Sequence, residues 1–537
     1  MREQLSQDSD SVIVAADVKK AQSGGPDADV SKELGSDIRR LGKGAAVALV
    51  GRVGGRALLL INQVILARLL GPDTFGLYAL GWTMLQMAGT IVPLGVPQAV
   101  VRYGSPAWGK DNGYLRVVLQ RSLFFAGLLG LVVGGALFGS AEWLANVIFQ
   151  KPDLLPVLKG FALAVVLIVL VRVMAAATRI SQRMQFSALI EDLLQPAIQL
   201  LLVAVLVMGL GWGLRGAVLS AVVGFVGAVG VGMLLLWHLF GRALRHVSPA
   251  SFSLRELLAF SLPTSMAGIF TMLTLRVDRL LVGYFLPASD VGIYQAATQA
   301  AMLSVMILGA FNAIFSPMIA RLYHQNQQQR LNELFKVSTK WGLYASLPLF
   351  LVLLVVPHEV ITIVFGKDYV TGAVPMLIMA GGQLFNAATG AVGMLLIMSG
   401  HHKRWFVLSG VSFAANILLC MTLIPPLGIT GAALAAAVSI VLLFGWGLIE
   451  VRRLLGFWPY DRRYIKVLLA ALGSLTVLIG FRAGFEESLQ GFAELVGITL
   501  AGVSIFSILV LLKPDVEDRE LLRALLARIK RYVGNYG

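Results

Sequence analysis

Long apolar runs separated by short polar connections dominate the chain between residues 46 and 512. A helix that crosses a bilayer needs about 20 predominantly apolar residues, and about 14 runs meet this requirement. The pattern therefore predicts an all-α integral membrane protein with about 14 transmembrane helices. The candidate spans are 46–70, 76–98, 115–139, 154–177, 187–210, 213–240, 258–286, 292–317, 338–357, 371–398, 405–425, 428–450, 464–483 and 491–512.

The polar connections alternate between basic and charge-poor along the chain. The charge-poor set comprises 71–75, 140–153, 287–291, 358–370, 426–427 and 484–490. The connections between them are rich in arginine and lysine, as at Arg179 and Arg183 or at Lys403 and Arg404. Because cytoplasmic loops carry the excess of positive charge, both termini are expected in the cytosol. The expected location is the plasma membrane.

The composition agrees with a membrane protein and changes how the net charge is interpreted. Hydrophobic residues make up 57% of the 537 positions, charged residues only 14%, and the formal net charge is +15. A soluble domain carries about 25% charged residues. Since the positive excess follows the predicted inner loops, it indicates membrane orientation, and nucleic-acid binding is not expected.

Three polar segments flank or divide the apolar region. Residues 1–41 are polar without an apolar core near the start, which predicts a disordered cytosolic tail and no signal peptide. Residues 241–257 are expected to form a cytosolic interfacial linker. Residues 513–537 form a basic cytosolic tail, in which 515–533 place leucines on one face and Arg or Lys elsewhere. That pattern predicts an amphipathic helix bound to membrane lipids.

Two separate matches indicate an internal repeat. LLGPDTFGLYAL (69–80) aligns with FLPASDVGIYQA (285–296) at an offset of 216, which pairs Gly76 with Gly292 and Tyr78 with Tyr294. GLRGAVLSAVV (213–223) aligns with GITGAALAAAV (428–438) at an offset of 215. The repeat predicts two six-helix lobes, 42–240 and 258–450, followed by two further helices in 451–512. Six helices per lobe give both lobes the same orientation in the membrane.

The stretch ARLLGPDTFGLYAL at 67–80, together with the paired six-helix lobes, resembles the oligosaccharide flippase, or polysaccharide biosynthesis, family. This family belongs to the multidrug/oligosaccharidyl-lipid/polysaccharide exporter superfamily, and the resemblance covers about 42–450. It implies two lobes in a V around a central cavity. It also implies movement of a polyprenyl-pyrophosphate-linked oligosaccharide from the inner to the outer leaflet. The cargo would be an O-antigen, capsule or exopolysaccharide unit, and a glycan polymerase and other export machinery are candidate partners.

The first span carries two arginines at its predicted inner end. Counting back from Gly71 places Arg52 at the inner edge of the membrane and Arg56 about 7 Å inside it. Gly51 and Gly55 are also four residues apart and predict a close approach of another helix beside these arginines. Arg172 in the fourth span lies at a similar depth. Guanidinium groups offer paired donors, so Arg52, Arg56 and Arg172 are candidate ligands for a pyrophosphate.

The seventh span carries charges near the middle of the membrane. Asp278 and Arg279 lie about 12–14 Å from its predicted outer end, where snorkelling cannot easily bring them to either surface. Arg276 and Arg279 are expected to share a face and to bind pyrophosphate. Asp278 points elsewhere and needs a partner on another helix. It is the candidate for ion coupling, and a purely structural ion pair between helices remains the alternative.

Amide side chains within the spans are candidate contacts for sugar hydroxyl groups, although each could instead make a hydrogen bond between helices. The repeat places Asn62 and Gln63 at the level of Asp278 and Arg279. The full candidate set is Asn62, Gln63, Gln86, Asn312, Gln383 and Asn386.

The sequence favours a transporter over an enzyme. It contains no Walker A motif, no H-E-x-x-H and no clustered Cys and His, so we expect no ATP-driven step, no metal and no cofactor. Three functions remain: the glycan flippase, a lipid II-type flippase, and a cation or drug antiporter of the same superfamily. A glycan polymerase is expected to carry a large outer loop, and the predicted outer loops are too short for a catalytic domain. A membrane scaffold would not need buried charges near midplane. An antiporter for cations would need intramembrane carboxylates, whereas arginines outnumber them here.

Overall fold

The computed structural model describes residues 26–245, 253–305, 315, 318–485, 492–511 and 518–519, and the regular secondary structure in these ranges is helical. Ten stretches of the described chain are long and apolar enough to cross a bilayer. Two of them, Gly51–Ala107 and His402–Leu455, have 57 and 54 residues, more than twice the length that one crossing requires. The all-α membrane class is confirmed, and the count of about 14 spans stays a prediction.

In chain order the α-helices are α1 (Pro26–Ile91), α2 (Val96–Ala107), α3 (Asn112–Trp143), α4 (Leu155–Ile180), α5 (Met184–Ala188), α6 (Leu194–Leu202), α7 (Gly213–Arg245), α8 (Leu254–Thr274), α9 (Val277–Phe285), α10 (Ala288–Leu303), α11 (Gln328–Val355), α12 (Pro357–Val364), α13 (Ala373–Thr389), α14 (Val392–Met398), α15 (His402–Leu455), α16 (Arg463–Phe485) and α17 (Phe492–Leu511). Segments of π-helix follow α3, α5 and α6, at Leu144–Ile148, Leu189–Leu193 and Val203–Gly209.

Two of the long helices turn sharply at a glycine. The backbone of α1 leaves the helical region at Gly71 (φ 72°), and that of α15 does so at Gly428 (φ 57°). A positive φ is readily available to glycine because it lacks a Cβ. Gly71 lies in the predicted turn 71–75, and Gly428 comes directly after the predicted turn 426–427.

Other predicted spans are interrupted, which corrects their description as continuous helices. The span 76–98 is split because α1 ends at Ile91, where Pro93 and the left-handed Gly95 prevent continuation. The span 371–398 is split at Gly390, which has φ 70°. The most consequential interruption divides the span 258–286, since α8 ends at Thr274 and α9 begins only at Val277.

The break after Thr274 has a side-chain cause that the sequence pattern does not reveal. Asn416 on α15 donates from Nδ2 to the Thr274 carbonyl oxygen at 2.7 Å. A carbonyl that a helix leaves free inside a membrane needs such a partner, because no lipid can supply one. The amide of Asn416 therefore stabilises a helix end in the interior of the protein.

Some predicted segments fall partly or wholly outside the described residues. Helix α1 begins at Pro26, so the part of the predicted tail that the structure describes is helical. Residues 246–252 of the linker and Asn312 lie outside the described residues. Within the predicted amphipathic helix 515–533, the structure describes only Asp518 and Arg519.

The N-terminal and C-terminal halves of the chain are joined at the predicted outer side by side chains that donate to main-chain carbonyls of the other half. These contacts are Lys151 Nζ to Gly283 O at 2.6 Å, Tyr369 Oη to Ala67 O at 2.8 Å, and Arg68 Nε to Val364 O at 2.8 Å. Each donor satisfies a carbonyl near a helix end or turn, where one is left over.

Candidate functional site

The arginines of the first span lie beside a tight helix crossing, as the glycine spacing predicts. A Cβ on Gly51 would lie 2.8 Å from the Cβ of Ala188, and one on Gly55 would overlap the main-chain oxygen of Asp192. The close approach is therefore confirmed. It brings the Asp192 carboxylate to 3.9 Å from Arg52 Nε. The side chains of Arg52 and Arg56 are themselves exposed.

Arg172 interacts with polar and charged groups of both halves of the chain. Its Nη1 donates to Thr90 Oγ1 at 2.7 Å, just before the end of α1. Arg172 interacts electrostatically with Glu191 near the inner arginines and with Arg276 in the C-terminal half. The sequence groups Arg172 only with Arg52 and Arg56. The structure adds an electrostatic interaction with Arg276 of the seventh span.

The interrupted helix shapes the second half of the site. Arg276 lies in the turn before α9, and Arg279 lies in its first turn. They do not lie on one face of a continuous helix, so that part of the prediction was wrong, but they interact electrostatically with each other. Arg279 is 7% exposed and its buried Nε has no hydrogen-bond partner. We call Arg172, Arg276 and Arg279 the central arginine cluster.

Asp278 has the partner on another helix that the sequence requires. Tyr294 on α10 donates from Oη to Asp278 Oδ2 at 2.6 Å, and the main-chain N–H of Arg279 donates to Oδ1 at 2.9 Å. Asp278 is only 1% exposed. The sequence alone does not indicate that Tyr294 binds Asp278, although the repeat marks this position by pairing it with Tyr78.

Tyr78 shows how the two halves differ at the repeated tyrosine. Its hydroxyl accepts a hydrogen bond from Gln199 Nε2 at 2.8 Å, and Trp82 and Phe161 enclose its ring at centroid distances of 6.1 and 5.5 Å. Both tyrosines are fully buried. Tyr78 meets a neutral amide and Tyr294 meets a carboxylate, so the partner of the repeated tyrosine is ionisable only in the C-terminal half.

Asn62 and Gln63 are both buried. Asn62 Nδ2 donates to the Pro196 carbonyl at 2.8 Å, which is a helix-to-helix contact. Gln63 accepts from Gln295 Nε2 at 3.4 Å and so connects the two halves of the chain. Asn62 Oδ1 and Gln295 Oε1 are buried without a hydrogen-bond partner. Acceptors of this kind suit hydroxyl donors.

The remaining amide candidates lie in different surroundings. Gln86 is half-buried one turn before Thr90, the residue that binds Arg172. Gln383 and Asn386 hydrogen-bond to each other on α13, with Asn386 Nδ2 donating at 3.3 Å. Gln86 thus lies one turn from a residue that contacts Arg172, whereas Gln383 and Asn386 form a local pair. Asn312 cannot be placed because it lies outside the described residues.

The central arginine cluster has the chemistry of an anion site. Like charges are brought together from two halves of the chain, and one guanidinium keeps a buried donor unused. The N-terminus of α9 adds positive main-chain dipoles at the same level. Arginine groups in such a place bind phosphate oxygens through paired hydrogen bonds.

Comparison with known proteins identifies the family of the chain. The sequence pattern of the family described as "Polysaccharide biosynthesis protein" matches residues 65–374, more than half of the chain. The chain therefore belongs to the polysaccharide biosynthesis protein family. It is a multi-pass membrane protein whose relatives include proteins named for lipopolysaccharide and exopolysaccharide synthesis.

Two curated relatives and one solved structure show the range of similarity. The chain is 23% identical over 262 residues to the probable low-salt glycan biosynthesis flippase Agl15 of Haloferax volcanii, covering 48% of this chain and about half (54%) of that protein. It is 24% identical to the lipopolysaccharide biosynthesis protein WzxC of Escherichia coli, covering 75% and 76%. The lipid II flippase MurJ in an inward closed conformation has a TM-score of 0.69 at 15% identity, covering 89% and 100%, which shows the fold.

Proposed function

We propose that the protein moves a polyprenyl-diphosphate-linked oligosaccharide across the bacterial inner membrane. The cargo is an O-antigen, capsule or exopolysaccharide repeat unit, and it passes from the cytosolic to the outer leaflet by alternating access. The observation that carries the proposal is the electrostatic interaction of Arg276 with Arg279 of its own half and with Arg172 of the other half. Charges supplied by both halves of the chain can bind the diphosphate together and release it when the halves separate.

The residues of the site divide into three roles. Arg52 and Arg56 meet the diphosphate at the inner surface, and the central arginine cluster holds it deeper in the protein. Gln63 and Asn62 offer amide groups to sugar hydroxyls beside this path. Asp278 is the candidate for coupling to an ion gradient, because it is the buried carboxylate next to the cluster.

The charge pattern favours the glycan flippase over a cation or drug antiporter. A site for cations needs carboxylates that face the substrate, whereas Asp278 is engaged by Tyr294 and by the main chain of Arg279. The arginines beside it would repel a cationic substrate. A lipid II-type flippase shares the anionic diphosphate. It differs in the sugar, so only the accumulated cargo separates these two functions.

Analysis of lipid-linked sugars after depletion of the protein tests the proposal. We expect a polyprenyl-diphosphate oligosaccharide to accumulate on the cytosolic side while surface polysaccharide falls. Accumulation of lipid II instead would assign the protein to peptidoglycan synthesis. Unchanged glycans together with increased drug sensitivity would assign it to the antiporters.

We also propose the setting in which transport takes place. Both termini lie in the cytosol, the basic connections face the anionic inner leaflet, and a glycan polymerase receives the translocated unit. The positive-inside rule supports this orientation. Reporter fusions at the two termini test it, since alkaline phosphatase is active only outside the cytosol.

A further inference from the structure

The crossing between α1 and the segment around Asp192 is made by contacts that do not involve the Asp192 carboxylate. Gly55 approaches the Asp192 carbonyl, and Asn62 donates to the Pro196 carbonyl further along. One turn before Gly55, Gly51 packs against Ala188. These contacts hold the two helices together without the Asp192 side chain. The carboxylate is therefore not required for packing, and its position beside the arginines calls for another explanation.

The Asp192 carboxylate is placed for a loose, reversible interaction. It lies 3.9 Å from Arg52 Nε, and it also interacts electrostatically with Arg56. Its side chain is 28% exposed. The neighbouring Glu191 instead makes a close ion pair with Arg179 at 2.6 Å. The two adjacent carboxylates thus differ, because one is tightly paired and the other can be displaced.

A π-helix spans Leu189–Leu193 and contains both carboxylates. Such bulges are rare and occur frequently at functional sites, because the extra residue changes which side chains face the neighbouring helix. Here the bulge presents the Asp192 main chain to Gly55 and its side chain to Arg52. The π-helix therefore determines both the packing against Gly55 and the position of the carboxylate beside Arg52.

We propose that the Asp192 carboxylate is a built-in competitor for the diphosphate at the inner surface. It interacts with Arg52 and Arg56 before the substrate arrives, and the diphosphate takes its place when it binds to these arginines. This inference rests on the proposed function. A carboxylate carries one charge and a diphosphate carries more, so the substrate displaces Asp192 whereas weaker anions do not. Asp192 is thus a specificity-determining residue that keeps the inner arginines from binding ordinary anions.

Binding of farnesyl diphosphate to the purified full-length protein tests this inference. In low-salt detergent solution we expect Asp192→Asn to bind the diphosphate about two to five times more tightly than the wild type, the range for an exposed ion pair. Asp192→Glu should restore wild-type affinity. The gain should vanish in the double variant Asp192→Asn/Arg52→Ala. A residue needed only for folding would weaken binding when changed.

Glu256→Gln is a matched control, because it removes one exposed negative charge elsewhere on the predicted inner side. Equal tightening by Glu256→Gln would attribute the effect to net charge and overturn the inference. Unchanged or weaker binding by Asp192→Asn would also overturn it. Failure of the proposed function is distinguishable, since the wild type would then bind farnesyl diphosphate no better than farnesol.

Discussion

Gly76 and Gly292, which the sequence repeat pairs with each other, lie directly against one another in the structure. A Cβ on Gly76 would be 2.9 Å from the main-chain nitrogen of Gly292, and a Cβ on Gly292 would be 3.1 Å from that of Gly76. Equivalent positions of two repeats meet in this way when they flank an axis of approximate symmetry. The contact joins α1 to α10 near the predicted outer side.

Replacing either glycine should weaken this contact. In Gly76→Ala or Gly292→Ala the new methyl group has no space, and overpacking of this kind costs about 1–3 kcal/mol. The joined outer side should then open more often. Distances between spin labels at Asp153→Cys and Asp368→Cys, two exposed positions in different halves, measure the opening.

The control for this experiment is Gly139→Ala on α3, where a Cβ would have open space. It should leave the label distances unchanged. Cys420 is buried, so it should not take up the label. If Gly76→Ala also leaves the distances unchanged, the glycine contact does not hold the halves together.

Tyr294→Phe should impair glycan export more than Tyr78→Phe does. Removing the Tyr294 hydroxyl takes a donor from the buried Asp278 carboxylate, whereas removing that of Tyr78 leaves only the neutral Gln199 short of a partner. Loss of a hydrogen bond to a buried charged group costs more than loss of a neutral one. Surface glycan per amount of membrane-inserted protein is the measurement. Equal defects would argue against a special role for Asp278.

A buried ion pair anchors the end of the chain to the C-terminal half. Lys340 on α11 is 1% exposed and lies 3.0 Å from Asp518, whose side chain is 6% exposed. Trp341 Nε1 donates to the same carboxylate at 3.1 Å. Asp518→Ala should destabilise the protein by about 3–5 kcal/mol, because it removes the carboxylate that pairs with the buried Lys340 charge.

The double variant Lys340→Met/Asp518→Leu should recover much of this loss, since no buried charge remains. Thermal unfolding in detergent measures both effects. The exposed pair of Glu333 and Lys336 serves as a comparison, and Glu333→Ala should change stability by less than about 1 kcal/mol. A small effect of Asp518→Ala would show that the carboxylate does not stabilise the fold.

The sequence predicts the membrane class and the crossing at Gly51 and Gly55 because both depend on local patterns. Apolar length identifies a span, and glycines four residues apart identify a close approach. It also requires a partner for Asp278, because a buried charge cannot remain alone. In these cases one stretch of sequence contains all the residues on which the prediction depends.

The interruption at Thr274 and the position of Arg172 could not be predicted in the same way. The helix break depends on Asn416, which is 142 residues away in sequence. The orientation of Arg172 depends on Thr90, 82 residues before it. No local pattern encodes such long-range hydrogen bonds. The hydrogen bond between Tyr294 and Asp278 could have been anticipated, because the sequence repeat already marks Tyr294.

Arg56→Ala should abolish surface glycan while the protein remains in the membrane. Arg56→Lys should recover only part of the export, since an ammonium group cannot form the paired hydrogen bonds of a guanidinium. Surface glycan and immunoblots of the membrane fraction give both quantities. Full activity of Arg56→Ala would remove the inner arginine from the transport path.

Translocation of a polyprenyl-diphosphate-linked oligosaccharide in proteoliposomes tests the central claim most directly. Arg172→Ala and Arg279→Ala each remove a charged donor from the central arginine cluster, and a hydrogen bond to a charged group contributes about 1.5–3 kcal/mol. We expect each variant to lower the rate at least about tenfold. Arg215→Ala, which removes an exposed arginine on the predicted outer side, should transport at the wild-type rate. Wild-type rates in Arg172→Ala and Arg279→Ala would contradict the account.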